Sequence, residues 1–148
     1  DEGIRDRLLQ ISMIKGIDFR FHAQFEQIEK RDDGCLTVHM SGHEPMTVDL
    51  VLFATGRVPN SEGLGLETAG VTVNDRGASV VAEDSRTSCP SVYAVGDITD
   101  RVQLTPIAIR EGQAFADTVF GNKPWRVDYG SIPSAVFSHP PMAGVGLT

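Results

Sequence analysis

Cysteine is scarce: Cys35 and Cys89 are the only two in 148 residues. They form no Cys-x-x-Cys pair and no metal-ligand spacing, which excludes a disulfide framework and a zinc-ribbon type of site. They read as two reduced thiols of a cytosolic protein. No G-x-G-x-x-G occurs, no internal repeat or low-complexity segment is present, and no stretch reads as a signal peptide. No apolar run approaches the length of a membrane span. Basic residues are outnumbered, 13 Lys+Arg against 20 Asp+Glu, for a net charge of −7. That balance argues against nucleic acid or an anionic membrane as a main partner. What is there is enough for a packed core: 41% hydrophobic and 22% charged residues. The length is ordinarily that of one domain. The chain begins with Asp1 rather than Met, however, and closes on a strand-like Val145-Gly146-Leu147-Thr148. It therefore reads as an internal piece of a longer protein.

The most informative stretch runs from Ser91 to Phe120. Ser91 to Val95 reads as a short buried strand. Gly96 lets the backbone turn, and Asp97 places a carboxylate just past the strand, where open α/β sheets bind ligands. Thr105-Pro106 then opens a helix, Thr as N-cap and Pro at the first helical position. Ala108, Gly112, Phe115, Ala116 and Val119 recur at helical spacing, and Gly121-Asn122-Lys123-Pro124 ends the run. A carboxylate accepts hydrogen bonds from sugar or sugar-alcohol hydroxyls. A helix N-terminus brings free N–H groups towards an electron-rich atom. Taken alone, the Gly-Asp pair reads first as a plain turn.

Elsewhere, Ile4 to Lys15 predicts an amphipathic helix with Ile4, Leu8, Ile11 and Ile14 as its stripe and Gly16 as its stop. Ile17 to Phe21 predicts a strand. Phe25 to Lys30, Cys35 to Met40 and Met46 to Val48 predict an antiparallel meander, with Asp32-Asp33-Gly34 as a tight turn. His39 and His43 lie on the meander without a third ligand and read as solvent-facing. Leu50 to Ala54 is a continuous apolar run, expected of a strand buried on both faces, and it ends in Thr55-Gly56-Arg57. Gly56 allows close approach of a nucleotide. Arg57 supplies a fixed charge for a phosphate or for the neighbouring loop. Ser61 to Gly70 reads as a loop with one helical turn at Leu66 to Ala69. Asn74 to Gly77 reads as a hairpin-type turn, Ser79 to Ala82 as a strand, Trp125 to Ser131 as a linker, and Ile132 to Phe137 as a strand.

Four motifs in order, ATGRVPN (54–60), SVYAVGD (91–97), LTPIAI (104–109) and IPSAVFSHPP (132–141), closely resemble the glutathione reductases. These belong to the flavin-dependent pyridine nucleotide–disulfide oxidoreductases, and the match covers nearly the whole chain. The resemblance implies an α/β chain with parts of the NAD(P)- and FAD-binding Rossmann-like domains and the start of an α+β dimerisation domain. It places 1–57 in the NADPH domain, 58–126 in the FAD domain and 127–148 in the interface domain. It implies FAD and NADPH as cofactors, glutathione disulfide as substrate, a homodimer and a cytoplasmic location. Asp97, Gly96, Leu104 and Thr105 are the expected FAD side. Gly56, Arg57, Gln103 and Val136 are expected on the nicotinamide-nucleotide side, and Gln113 near the substrate.

The catalytic groups that the resemblance implies are outside this chain. The redox Cys-x4-Cys pair is absent. The acid–base His belongs to a His-Pro pair followed by Glu near the C-terminus of the full protein, whereas His139-Pro140-Pro141 matches an earlier, structural His-Pro. The fragment alone is therefore expected to be inactive. Leu-Thr-Pro at 104–106 favours a glutathione or trypanothione reductase over a dihydrolipoamide dehydrogenase. A non-catalytic truncated binding domain is the alternative of another class. Gln113 stands where many glutathione reductases carry Arg, and that removes one reason to prefer an anionic disulfide.

Overall fold

The first helix, α1 (Glu2–Ile14), follows from its apolar stripe and ends as that stripe runs out. Its stop is a two-bond cap: the Gly16 N–H donates to Met13 O (3.0 Å) and the Ile17 N–H to Ser12 O (3.1 Å). Gly16 has φ +89°, a left-handed conformation that a side chain would strain. The computed structural model that carries this helix describes residues 2–146. The stripe is shallower than its spacing suggests. Ser12 is the buried residue of α1, and Ile14 stands in solvent.

Three strands follow: β1 (Phe25–Lys30), β2 (Leu36–Met40) and β3 (Met46–Val48). They pair antiparallel in the order β1-β2-β3, as the sequence predicts, with Lys30 opposite Leu36 and Leu36 opposite Val48. The β1–β2 turn is fixed locally. The Gly34 N–H donates to Arg31 O, and Asp33 Oδ1 accepts from the Cys35 N–H at 3.0 Å. Val38 is the buried residue of the meander. His39 is half-buried rather than solvent-facing, with Nε2 3.5 Å from Glu29 Oε2 on the adjoining strand.

Two expected strands are not strands. Ile17–Phe21 is irregular, with Phe19 and Phe21 stacked on each other. Leu50–Ala54 carries no regular secondary structure: among the described residues nothing pairs with it, and Leu50 and Leu52 are exposed. An apolar run becomes a strand only when a neighbour supplies the ladder.

The chain divides into two compact units, one of residues 1–54 with 131–148 and one of residues 55–130. In the first unit, β4 (Ser134–Val136) and β5 (Met142–Gly144) form an antiparallel hairpin, so the expected 132–137 strand is shorter than read. His139 lies in the connection between them, where its carbonyl accepts from Lys15 Nζ at 3.2 Å.

The second unit is built on loops and one long helix. Around Leu66 the expected helical turn appears, with the Ala69 N–H donating to Gly65 O. Asn74–Gly77 closes as a turn through Gly77 N–H to Asn74 O at 2.8 Å. Ser79–Ala82 and Ser91–Val95 are not continuous strands. Each is reduced to a single antiparallel bridge, Val73–Ser79 and Arg86–Tyr93. Residues 96–99 form a 3-10 turn, and α2 (Thr105–Val119) follows. Its buried face is Ile107, Glu111 and Ala114, whereas Ala116 and Val119 of the expected stripe are exposed. Phe115 packs on Tyr93 with ring centroids 4.9 Å apart. The left-handed residue after α2 is Asn122 (φ +50°), not Gly121.

Candidate functional site

Within the second unit, the end of the 91–95 segment and the start of α2 bring most of the expected residues together. Gly96 opens the 3-10 turn with φ +74°. A Cβ there would meet the Ala108 Cβ at 3.1 Å, so the turn lies tight against the first turn of α2. Asp97 follows with a half-exposed side chain, and its Oδ2 is 3.8 Å from Arg57 Nη1. The Arg57 side chain is itself 70% exposed. Gly56, with φ +103°, precedes it. Gln103 Nε2 donates to Asp100 Oδ1 at 2.6 Å and approaches Arg57 O at 3.5 Å. Asp100 in turn pairs with Arg76 at 2.9 Å.

The helix start differs from the reading. Leu104, not Thr105, is the N-cap of α2, with extended φ −131° and ψ 127°. Its carbonyl accepts from the N–H groups of Ile107 and Ala108, each at 3.0 Å. No side-chain cap hydrogen bond is made, and Pro106 occupies the first turn without an N–H to satisfy. An uncapped helix start beside a half-exposed carboxylate can take hydroxyl donors on one side and an electron-rich atom on the other.

Two expected site residues are carried elsewhere in the chain. Val136 is on β4 in the other unit, half-exposed. Gln113 lies further along α2, where its Nε2 donates to Asp117 Oδ1 at 2.8 Å. Cys35 and Cys89 are both free thiols, one in each unit. Among the described residues no group of three or more His, Cys, Asp or Glu could hold a metal ion.

Sequence reasoning missed Glu111, which is only 1% exposed. Its Oε2 accepts from the Gly96 N–H at 2.5 Å, and its Oε1 accepts from the Tyr129 hydroxyl at 2.6 Å. Arg101 Nη2 lies 3.3 Å from the same Oε1. The available signal was positional: Glu111 falls at i+4 from Ile107 and i−3 from Ala114, on the face that packs.

Desolvation, with the Glu111 acceptor behind it, raises the Tyr129 phenol from 10.0 to about 12. Below pH 10 the phenol is protonated in folded and unfolded chains alike, and its contribution is intact. From pH 10 to about 12 the unfolded chain loses that proton first, so stability is expected to fall through this window. Denaturation midpoints measured against pH check this, with Tyr129→Phe expected to flatten the alkaline fall. An identical pH profile for that variant would remove Tyr129 from the effect.

Residues 1–112 match the family model of the pyridine nucleotide-disulphide oxidoreductases, and the chain belongs to that family. Its particular relatives are disulfide reductases. The chain is 48% identical to a glutathione reductase of Burkholderia cepacia over 100% of its own length and 33% of the relative's. It is 42% identical to a trypanothione reductase of Trypanosoma congolense over 100% of this chain and 30% of that one. The Cu(II) complex of the HOCl-induced flavoprotein disulfide reductase RclA from Escherichia coli superposes with a TM-score of 0.92. That match has 34% identity and covers 100% of this chain and 33% of that one. The chain thus spans about a third of the length of these relatives. No helix of the described residues is long and apolar enough to cross a membrane.

Proposed function

We propose that the full-length protein carrying this chain is an FAD- and NADPH-dependent glutathione-disulfide reductase, a cytoplasmic homodimer that maintains reduced glutathione. The observation that carries this reading is the 48% identity to a glutathione reductase across the whole chain. Under it, residues 1–57, 58–126 and 127–148 belong to the NADPH, FAD and interface domains respectively. The residues present suit a flavin nucleotide. The half-exposed Asp97 carboxylate is free to accept from ribityl hydroxyls, with Arg57 no closer than 3.8 Å. Leu104 and Thr105 place the uncapped start of α2 next to it. Bound FAD would supply the two-electron relay between a nicotinamide and a disulfide. Gly96 keeps the turn thin, and Gly56, Arg57, Gln103 and Val136 serve the NADPH side.

Assay of the full-length protein with NADPH and glutathione disulfide tests the reading, and absence of turnover overturns it. The second reading is a trypanothione reductase. The 42% identity to such an enzyme favours it, as does the neutral Gln113, which we place near the substrate. A higher kcat/KM with trypanothione disulfide than with glutathione disulfide would reverse the preference.

Two further results are expected. Residues 1–148 alone show no NADPH-dependent glutathione disulfide reduction, because they contain no Cys-x4-Cys pair and no G-x-G-x-x-G. Measurable turnover by that purified chain refutes this. In the full-length protein, Gln103→Ala raises the KM for NADPH roughly two- to tenfold, the value of one neutral hydrogen bond, and leaves the KM for the disulfide nearly unchanged. The reverse order moves Gln103 out of the nucleotide pocket.

A further inference from the structure

A carboxylate that is 1% exposed in the middle of a helix face is costly unless it is paired and hydrogen-bonded, and both oxygens of Glu111 have partners. Glu111 belongs to a closed ring of four residues. Its Oε2 accepts from the Gly96 N–H (2.5 Å), and the Gly96 carbonyl accepts from Thr99 Oγ1 (2.8 Å). Thr99 Oγ1 accepts from Arg101 Nε (3.3 Å), and Arg101 Nη2 returns to Glu111 Oε1 at 3.3 Å. The ring therefore grips Gly96 by both its N–H and its carbonyl. Ala108 closes the remaining side, 3.1 Å from where a Cβ would be. Gly96 is the residue immediately before Asp97, so fixing its two peptide groups fixes where the Asp97 backbone starts. Tyr129 holds the same carboxylate from below (2.6 Å) and receives Arg101 over its ring at 5.3 Å. Asp97 itself is only loosely held by its own side chain, 3.8 Å from Arg57. Its placement must come through the backbone.

We propose that Glu111 is a positioning residue: through the Gly96 amide and the ring closed by Thr99 and Arg101, it sets the Asp97 carboxylate for binding the flavin nucleotide. The inference rests on the assignment of Asp97 to FAD made above. A carboxylate whose two oxygens serve different partners suits this role. Oε2 orients the turn, while Oε1 is neutralised by Arg101 and Tyr129, so the charge stays buried without competing for Gly96. An apolar side chain of similar size would fill the space and leave the Gly96 N–H without its acceptor.

The test titrates FAD into the full-length apoprotein and compares Glu111→Leu, Glu111→Gln, Asp97→Ala and the Asp97→Ala/Glu111→Leu double variant. Thermal unfolding of each apoprotein is recorded alongside. Glu111→Leu is expected to raise the FAD Kd about tenfold. Glu111→Gln, which keeps an oxygen for the Gly96 N–H, is expected to recover most of that loss. The double variant should bind no more weakly than Asp97→Ala alone, because Glu111 acts through Asp97. A merely structural role lowers the unfolding temperature but multiplies the two Kd losses, and that outcome overturns the inference. If Asp97→Ala weakens FAD and Glu111→Leu does not, the inference fails and the flavin reading stands. If Asp97→Ala leaves the Kd unchanged, the flavin reading fails and takes the inference with it. Should Glu111→Leu not fold, Thr99→Val breaks the same ring at the Gly96 carbonyl. It is expected to raise the Kd in the same direction, and an unchanged Kd counts against the ring.

Discussion

Asp97→Ala is expected to weaken FAD binding by the full-length protein roughly ten- to a hundredfold. The figure follows from the loss of a hydrogen bond to a charged acceptor, about 1.5–3 kcal/mol, converted to affinity at about 1.4 kcal/mol per factor of ten. The protein should survive the change. Asp97 is half-exposed, and its one ion pair, to Arg57 at 3.8 Å, is in solvent, where such pairs add little. Asp97→Asn keeps an oxygen acceptor and loses the charge, so it should fall between the parent and the alanine variant. Flavin content after prolonged dialysis gives a first answer and FAD titration of the apoprotein a quantitative one. Full flavin retention by the alanine variant would count against assigning the ribityl hydroxyls to this carboxylate.

Arg101→Met should destabilise the fold by about 3 kcal/mol, the lower end of what removing one member of a buried ion pair costs. Methionine keeps the unbranched apolar stem and removes the guanidinium, and with it the charge and the hydrogen bonds to Thr99 and Ser85. Arg101 is 23% exposed and its partner Glu111 1%, and Arg101 also donates to Ser85 Oγ at 3.2 Å. The control is Arg5→Met. Arg5 pairs with Asp6 at 2.8 Å, and the two side chains are 61% and 55% exposed. That loss should stay within about 0.5 kcal/mol, as for other surface changes. Denaturant midpoints at neutral pH distinguish the two. Equal losses from both would mean that the Glu111–Arg101 pair behaves as a surface pair despite its burial.

The parts of the fold that were legible in the sequence are those decided by local chemistry. The Gly16 stop, the Asp33-Gly34 turn and the span of α2 each depend on residues within a few positions of one another. The Gly-Asp turn and the helix start were legible as a candidate site for the same reason. What was misread depends on partners distant in the chain. Leu50–Ala54 has the composition of a buried strand, yet strand identity lies in the ladder, and nothing among the described residues pairs with it. The buried face of α2 lies one position from the predicted stripe because it includes Glu111, a residue type that is rarely buried. Its burial depends on Gly96, Arg101 and Tyr129, which no helical periodicity reports. Thr105 was a reasonable cap by residue type, but the extended backbone of Leu104 takes that position.

The unit made of residues 1–54 and 131–148 is discontinuous in sequence, while residues 55–130 form a unit without interruption. During synthesis residues 55–130 are therefore all available before residues 131–148, which the other unit needs. Residues 1–54 leave the ribosome before residues 131–148, and their shared unit closes only once β4 and β5 follow. Closure has to bring together ends separated by the whole of 55–130, and if that stretch is still unstructured it behaves as a long loop with the entropy of one. If it has already folded, its two ends are held at a set separation and the loop is effectively shortened. Domains tend to fold as units as they emerge. Within its unit the meander closes on its own pairs, and α1 should be late to find its neighbours on the β4–β5 hairpin.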